Sequence, residues 1–219
     1  MGRPFQDKCY IRPGQYDQSP IEQHDWCWPK GDTGGWEGPL LNWNQEHSRR
    51  WFAHVQKFEV AVQAGGCCGM YPKMLAEKFR LVYTFEPTPL NFYCLVNNCQ
   101  MDNVLKFNCA LGKVHHLGVM NVCESNIGSN ALEYNPTTTQ GSVQIIPLDS
   151  FNLHALDLLA LDVEGAEPEV LQGAKTTIMR FSPVIVAEQG NRNEVKNLLG
   201  EWGYHSNEQS AMDWIWWKE

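Results

Sequence analysis

The chain has 219 residues, 43% of them hydrophobic, which suffices for one α/β domain with a smaller appendage. Its formal net charge of −8 argues against a nucleic-acid partner, because nucleic-acid binders present basic surfaces, and is compatible with a cationic ligand. The eight cysteines include no C-x-x-C pair, so we expect reduced thiols and no metal site. Nothing resembles a signal peptide, and no apolar run reaches the roughly 18 residues of a membrane span. We therefore expect a cytoplasmic protein without a membrane partner.

The first 57 residues differ from the rest in composition. Residues 1–41 are rich in proline, glycine and tryptophan and lack periodicity, which predicts loops with aromatic anchors. Asn42 to Gln56 predicts a helix, since one face repeats at every fourth position: Trp43, His47, Trp51 and Val55. This helix either caps the edge of the domain, which we favour, or forms a lid over a ligand. We therefore divide the chain into an appendage, 1–57, and a domain, 58–219.

A glycine-rich turn organises the domain. Val60 to Gly69 reads VAVQAGGCCG, an apolar run that stops at a glycine cluster, and a helical pattern follows. This predicts a buried strand, a tight turn and a helix start whose free amides and positive dipole end favour a nucleotide-like ligand. Glycine allows a sharp bend and a close approach of the ligand to the backbone. A plain strand–turn–helix corner explains the pattern nearly as well.

Strand and helix patterns alternate through the remainder of the domain, which predicts an open α/β sheet with right-handed crossovers. The predicted strands are Leu81–Phe85, Val104–Leu111, His115–Cys123, Ser142–Pro147, Leu156–Leu161, Pro183–Ala187 and Trp214–Trp217. The predicted helices are Pro89–Gln100, Glu167–Phe181 and Arg192–Trp202. Near-continuous apolar runs such as Leu156–Leu161 are typical of strands buried on both faces.

Acidic residues follow three of the predicted strands, at the edge where ligands of such sheets bind. Glu86 lies 21 residues after Gly65, a spacing typical of a carboxylate that accepts ribose hydroxyl groups. Glu188 ends the strand V-I-V-A-E, and Asp162, Glu164 and Glu167 crowd together in L-D-V-E-G-A-E, directly after a buried strand. Acids this close raise one another's pKa unless a cation compensates, so we expect Asp162 to be functional. The neighbouring Glu167 is explained by the first turn of a helix, where acids favour the dipole.

Six segments in this order resemble the FkbM family of S-adenosylmethionine-dependent methyltransferases: A-G-G-C-C-G-M-Y, T-F-E-P-T-P-L-N, N-C-A-L-G, P-L-D-S-F, L-D-V-E-G-A-E-P-E-V-L-Q-G-A and P-V-I-V-A-E. The resemblance runs from about Phe58 to Trp202. It implies a class I methyltransferase (Rossmann-like) fold, an open sheet of seven strands with the last strand antiparallel and helices on both faces. It further implies S-adenosyl-L-methionine as cofactor and methyl transfer to a hydroxyl of a sugar, another small molecule or a glycan.

The resemblance also implies roles for individual residues. The glycine loop would hold the methionine part of the cofactor, Glu86 the ribose, and the segment from Asn108 to Ala110 would lie near the adenine. The implied cofactor-binding residues are Gln63, Ala64, Gly65, Gly66, Gly69, Met70, Tyr71, Glu86, Pro87, Asn108, Cys109, Ala110 and Asp162. A sulfonium methyl is already activated, so the enzyme must place an acceptor oxygen in line behind it and remove the hydroxyl proton. The candidate bases are Asp162 first, then Glu164 and Glu188.

Two positions depart from the family pattern D-x-G-A-N-x-G. Gln63 replaces the aspartate and Cys67 the asparagine. Glutamine still accepts a hydrogen bond from the cofactor's ammonium group, but the missing charge costs on the order of 1 kcal/mol or more of affinity. Two alternatives stay open: a non-catalytic binding module on this fold, and a nicotinamide-dependent oxidoreductase, although Ala64 stands where G-x-G-x-x-G requires glycine. Residues 1–57 are the natural place for acceptor specificity.

Overall fold

A computed structural model of the protein describes residues 9–12, 26–32, 49–123, 125–133, 142–188, 192–210 and 213–219. The strands are β1 Cys9–Arg12, β2 Trp26–Pro29, β3 Val60–Ala64, β4 Leu81–Phe85, β5 Val104–Phe107, β6 Ala110–Leu111, β7 His116–Asn121, β8 Ala131–Glu133, β9 Ser142–Ile146, β10 Leu158–Leu161, β11 Val184–Glu188, β12 His205–Ser210 and β13 Asp213–Trp217. The helices are α1 Met70–Ala76, α2 Pro89–Asn98, α3 Glu167–Gly173, α4 Lys175–Phe181 and α5 Arg192–Glu201, with 3₁₀ turns at Ile127–Ser129 and Leu148–Phe151. None of the helices described is long and apolar enough to cross a lipid bilayer.

The central sheet has seven strands in the order β12-β13-β11-β10-β3-β4-β5. Strands β5, β4, β3, β10 and β11 are parallel, while β13 runs antiparallel to both of its neighbours. This topology confirms the predicted class I methyltransferase fold with its antiparallel last strand. The chain builds outward from β3 to β5 and then resumes at β10 on the other side of β3. The carboxyl ends of β3 and β10 therefore meet at the switch point of the sheet, where ligands of open α/β sheets bind.

Helices cover both faces of this sheet. Successive side chains of a strand point to opposite faces, so each apolar strand presents apolar side chains to both layers of helices. On one face the strands pack against α3, α4 and α5, with these residues in the core: Val62, Leu159, Ile185, Leu171, Ile178 and Leu199. On the other face they pack against α1 and α2, with Ala61, Val82, Leu158, Leu75 and Leu95 buried. Each fully buried aliphatic side chain contributes about 1.5–3 kcal/mol, so the two faces hold the strand ends rigidly in place.

A second sheet of four strands, in the order β6-β9-β7-β8, lies beside the first. The predicted strand Val104–Leu111 is wrong as one element, because the chain turns at residues 108 and 109 and enters this second sheet as β6. The predicted helix Glu167–Phe181 is likewise two helices that meet at Ala174. Gly173, just before this junction, lets the backbone after β6 pack closely against α3, since a Cβ there would lie 1.9 Å from the carbonyl oxygen of Gly112.

The appendage contains regular structure where loops were expected. Strands β1 and β2 form an antiparallel pair, and β2 is anchored to α2 because the Asn98 side chain donates to the Cys27 carbonyl and accepts from its amide. Of the predicted helix from Asn42 to Gln56, Trp43 and His47 lie outside the described residues, while residues 49–51 are helical. The Trp51 ring is buried and stacks on Tyr71 at 4.9 Å. This contact places the end of that helix against α1 in the domain core.

Candidate functional site

A cleft at the switch point has a cavity volume of about 70 Å³ and opens to solvent. It lies between the carboxyl ends of β3, β4 and β10 and the second sheet. Its described lining comprises Ala64, Gly65, Cys67, Phe85, Glu86, Pro87, Asn91, Ala110, Leu111, Met120, Ile127, Gly128, Asn130, Leu132, Asp162, Val163, Glu164 and Ala166. Seven of the predicted site residues are part of this lining: Ala64, Gly65, Glu86, Pro87, Ala110, Asp162 and Glu164.

Glu86 supplies a buried carboxylate at the end of β4. Its side chain is 4% exposed; Oε2 accepts a hydrogen bond of 2.8 Å from the Cys67 amide, and Oε1 accepts one of 2.8 Å from the Thr88 amide. Burial raises the pKa of Glu86 to about 7, even though these amides favour the ionised form. The carboxylate thus ties the glycine turn to the loop after β4 and keeps further lone pairs for a ligand.

We expected the amides of the glycine turn to point at a ligand, but two of them donate hydrogen bonds within the chain. The amides of Gly65 and Gly66 both donate to the carbonyl oxygen of Phe85, at 3.0 and 2.9 Å. A Cβ on Gly65 would lie 1.8 Å from the carbonyl oxygen of Asp162, and φ at Gly65 is +88°. A Cβ on Gly66 would lie 2.7 Å from Thr84 Oγ1. Glycine is therefore required by the neighbouring strands, and it brings the turn close to Asp162.

This close approach makes Gly65 the most sensitive glycine described in the turn. We expect Gly65→Ala to destabilise the protein by roughly 3 kcal/mol or more and to displace Asp162, because the clash is with backbone and φ is positive. Gly200→Ala is the matched control: no atom lies within 4 Å of its Cβ, and it sits in α5. That variant should gain about 0.5–1 kcal/mol. Thermal unfolding compares the two, and equal stability of both would contradict this account of the turn.

Gln63 does not reach the cleft in the described structure. Its side chain is buried, and its Oε1 accepts a hydrogen bond of 2.8 Å from Thr84 Oγ1. Its Nε2 donates to the carbonyl oxygens of Ala64 and Gly65, at 3.2 and 2.7 Å. The amide is thus committed to holding β3 and β4 together. This differs from the expectation that Gln63 accepts a hydrogen bond from the cofactor's ammonium group.

The remaining predicted cofactor contacts lie around the cleft rather than in its described lining. They are Gly66, Gly69, Met70, Tyr71, Asn108 and Cys109. The Asn108 amide donates to the carbonyl oxygens of Glu86 and Pro87, at 2.8 and 3.2 Å, and so fixes the loop after β4. Cys109 is buried in the core, where burial raises the pKa of its thiol to about 11. Of this segment, Ala110 faces the cleft.

Asp162 and Glu188 end the adjacent strands β10 and β11 and lie side by side. Their carboxyl groups hydrogen-bond to each other, and Glu164 brings a third carboxylate oxygen within 4.8 Å of both. Burial, then the charge of Glu188, raises the pKa of Asp162 well above its ordinary value. Burial and the charge of Glu164 likewise raise the pKa of Glu188. Crowded carboxylates of this kind hold protons more readily than isolated ones and titrate as a coupled group.

Glu167 holds the turn that carries these acids. Its side chain is fully buried, and Oε1 accepts hydrogen bonds from the amides of Val163 and Gly165, at 3.2 and 3.4 Å. Between them, Glu164 adopts the left-handed conformation, with φ at +52°. Glu167 therefore does more than favour the dipole of α3. It positions Asp162 and Glu164 at the edge of the sheet.

Asp213 is a site residue that the sequence analysis missed. It begins β13 and is the register partner of Glu188. Burial, then the charge of Glu188, raises the pKa of Asp213 to about 7. Tyr71 lies close by, and burial together with the charges of Asp213, Asp162 and Glu188 raises the pKa of its phenol. An antiparallel last strand had been predicted, and the first residue of such a strand lies beside the last residue of its neighbour.

The second sheet contributes the opposite wall of the cleft, which the sequence analysis also missed. Leu111, Met120 and Leu132 of this sheet line the cleft, together with Ile127 of the 3₁₀ turn between β7 and β8. The cleft thus combines a buried carboxylate, apolar walls and an acidic end. This arrangement suits a ligand that carries hydroxyl groups, a flat ring and positive charge.

One protein family and several solved structures are similar to this chain. Residues 64–206 match the model of the methyltransferase FkbM domain. The methyltransferase FkbM from Methylobacillus flagellatus KT superimposes with a TM-score of 0.55 at 15% identity, covering 75% of this chain and 45% of that chain. The precorrin 8w decarboxylase from Methanobacterium thermoautotrophicum gives a TM-score of 0.48 at 15% identity, covering 80% and 90%. SMU.1697c from Streptococcus mutans, in complex with SAH, gives 0.48 at 11% identity, covering 78% and 94%.

These matches differ in what they establish. At 15% identity the likeness to the Methylobacillus flagellatus protein shows the fold alone, and the chain spans less than half of that protein's length. No functionally curated protein matches the sequence. The family match covers well over half of the chain, and it agrees with the resemblance seen in the sequence motifs. The chain belongs to the FkbM family of S-adenosylmethionine-dependent methyltransferases.

Proposed function

We propose that the protein transfers the methyl group of S-adenosylmethionine to a hydroxyl group of a sugar or another small molecule. The observation that carries this proposal is the position of Asp162. It lines the cleft beside the glycine turn, and its carboxyl group also hydrogen-bonds to Glu188, which lies outside the described lining. Asp162 therefore stands between the methyl-donor cleft and the acidic side chains of Glu188 and Asp213, and we place the acceptor there.

The residues of the cleft fit the cofactor part by part. Glu86 would accept hydrogen bonds from both ribose hydroxyls, since an ionised carboxylate offers several acceptor sites. The apolar side chains of Phe85, Leu111 and Ile127 would flank the adenine ring. Asp162 and Glu164 would face the positive charge of the sulfonium, which lowers the cost of their crowding. When bound, the cofactor supplies a methyl group on a positively charged sulfur.

The acidic pair would remove the proton of the acceptor. Because Asp162 and Glu188 hydrogen-bond to each other, one of the two carboxyl groups can hold a proton while the other, ionised, acts as a general base. That carboxylate would take the hydroxyl proton while the acceptor oxygen forms its bond to the methyl carbon and the sulfur keeps the electron pair of the broken bond. Positioning of the oxygen in line with the methyl group supplies most of the remaining acceleration.

A non-catalytic binding module is the second candidate, and one observation favours it. The Gln63 amide is fully engaged inside the chain, so the ammonium group of the cofactor lacks the partner expected at that position. Loss of one charge-assisted hydrogen bond costs on the order of 1.5–3 kcal/mol of affinity. Such a loss weakens binding without preventing it.

Deuterated cofactor separates these candidates. The protein is incubated with S-adenosylmethionine carrying a CD₃ group and a panel of monosaccharides, oligosaccharides, phenols and amines, and the products are analysed by mass spectrometry. We expect the label on a hydroxyl oxygen. Label on nitrogen alone would refute the O-methylation proposal. Binding of S-adenosylhomocysteine without turnover on any member of the panel would favour the non-catalytic module.

A further inference from the structure

Three carboxylates converge on one point beside the cleft. Asp162 and Glu188 come from the ends of adjacent parallel strands, and Glu164 comes from the turn that follows β10. One oxygen from each lies within 4.8 Å of the other two. Two oxygens on opposite sides of a bound Ca²⁺ are about 4.6–5.2 Å apart, and those around Mg²⁺ about 4.0–4.2 Å apart, because the ion–oxygen distances are about 2.3–2.6 and 2.0–2.1 Å. Separations of up to 4.8 Å thus fit the ligand sphere of Ca²⁺, and the smaller Mg²⁺ would draw the three oxygens closer together.

A fourth carboxylate beside this cluster has an atom with no partner. Glu167 is 0% exposed, and its Oε2 makes no hydrogen bond although its Oε1 accepts from two amides of the turn. The carboxylate therefore lies beneath the turn that holds Asp162 and Glu164, and it interacts electrostatically with both of them and with Glu188. A buried acceptor oxygen without a donor is costly and indicates that a donor belongs there.

The charge around the cluster is unbalanced in the part of the chain that the structure describes. Asp213 adds a fifth carboxylate, next to Glu188 in the register of the sheet. Among the described residues, no lysine or arginine is one of the main influences on the pKa of these five acids. Glu167 is buried and Asp162, Glu188 and Asp213 are half-buried, while Glu164 is exposed. Withdrawing carboxylates from water without a counter-charge is unfavourable, and such charges are normally paired or bind metals.

We propose that Asp162, Glu164 and Glu188 bind a hard divalent cation, such as Mg²⁺, Mn²⁺ or Ca²⁺, beside the methyl-donor cleft. All-oxygen ligands select this class of ion. Such ions usually keep several waters, and one of these would donate to the unpartnered Oε2 of Glu167. The site adds a cation to the proposed methyl transfer, at which an acceptor hydroxyl would be positioned and made more acidic. Its occupancy can be measured without turnover.

A shared proton and the sulfonium of the cofactor could also relieve the repulsion among these carboxylates, but each accounts for only part of the arrangement. A proton shared by Asp162 and Glu188 relieves that pair but leaves Oε2 of Glu167 without a donor. The sulfonium of the cofactor would face Asp162 and Glu164 from the cleft, whereas Glu188 and Asp213 lie outside its described lining. A cation between the three ligands accounts for both observations.

Manganese binding tests the proposal directly. The protein is stripped with EDTA, dialysed and titrated with MnCl₂ while free Mn²⁺ is followed by electron paramagnetic resonance. We expect one site with a Kd below about 1 mM that MgCl₂ or CaCl₂ displaces. Glu188→Gln should weaken Mn²⁺ binding at least tenfold, and Glu167→Gln by about 10- to 100-fold, as for groups that orient metal ligands. Glu201→Gln, an exposed acid at the end of α5, is the control and should leave binding unchanged.

Folding of the variants and binding of the cofactor product are measured on the same samples. The amide variants remove like-charge repulsion, so in EDTA they should melt at or above the temperature of the unchanged protein. Mn²⁺ binding weaker than a few millimolar, or equal in Glu188→Gln and Glu201→Gln, would overturn the cation site. If S-adenosylhomocysteine still binds in EDTA in that case, the proposed function stands without it. If Mn²⁺ binds but S-adenosylhomocysteine does not, the cation site stands and the proposed function falls.

Discussion

Replacing Glu86 with alanine should weaken the binding of S-adenosylhomocysteine by about 100- to 1,000-fold. The carboxylate is buried at the cleft, and under the proposed function it accepts hydrogen bonds from two ribose hydroxyls. Hydrogen bonds to charged groups contribute about 1.5–3 kcal/mol each, and about 3–4 kcal/mol corresponds to this loss of affinity. Isothermal titration calorimetry measures the change directly.

The same carboxylate also supports the cleft, so the experiment needs a fold control. In Glu86→Ala the amides of Cys67 and Thr88 lose their acceptor, although water can enter the cleft and replace it. Circular dichroism and thermal unfolding therefore accompany the titration. Glu77→Ala, an exposed acid after α1, should bind as the unchanged protein does. Unchanged affinity in folded Glu86→Ala would remove the ribose assignment.

The pH dependence of binding provides a second test of Glu86. Its pKa in the folded protein, about 7, is raised above the ordinary value of 4.5, so its contribution to stability is present below pH 4.5 and is lost as pH rises through 7. Ligand binding has the opposite sign, because the ionised form accepts the ribose hydroxyls better. Adenosine lacks the titrating groups of methionine, and its affinity should increase between pH 6 and pH 8. In Glu86→Gln this increase should disappear.

Asp162→Asn should lower kcat by a factor of about 100 to 10,000 while changing the affinity for S-adenosylhomocysteine less than tenfold. The asparagine has the shape of the aspartate and can still hydrogen-bond to Glu188, but it cannot take the proton of an acceptor. General bases contribute accelerations of this size. Steady-state kinetics on an acceptor found with the deuterated cofactor, together with calorimetry, separate the two effects.

Glu164→Gln is the matched comparison for this variant. Glu164 is exposed and reaches the cluster from the turn, so its replacement should reduce kcat less than Asp162→Asn does. If Asp162→Asn loses affinity and turnover to the same extent, Asp162 has a binding role and the base must be sought elsewhere. Identical losses in both variants would point to the total charge of the cluster rather than to a single base.

The strands that position the site could be predicted from the sequence because each is a short buried apolar run. For β3, β4, β10 and β11 the residue at the carboxyl end is then found by counting, which located Glu86, Asp162 and Glu188 at one edge of the sheet. Asp213 could have been found in the same way. Its strand was predicted, and an antiparallel strand brings its first residue to that edge.

The rest of the site depends on contacts between segments far apart in the sequence. The amides of Gly65 and Gly66 turn toward Phe85 because β3 and β4 pair in that register, and no local pattern around the glycines reveals this. The wall formed by the second sheet consists of apolar side chains without a motif, and β6 has two residues. Similarly, the role of Gln63 is decided by Thr84 on the next strand.

Titration of the unchanged protein with S-adenosylhomocysteine and with NAD⁺ tests the central claim most directly. A cleft built around Glu86 and Asp162 for a methyl donor should bind S-adenosylhomocysteine at a single site with micromolar affinity and should not bind NAD⁺. Heat of binding with NAD⁺ alone, or with neither compound at millimolar concentration, would contradict the assignment of this cleft.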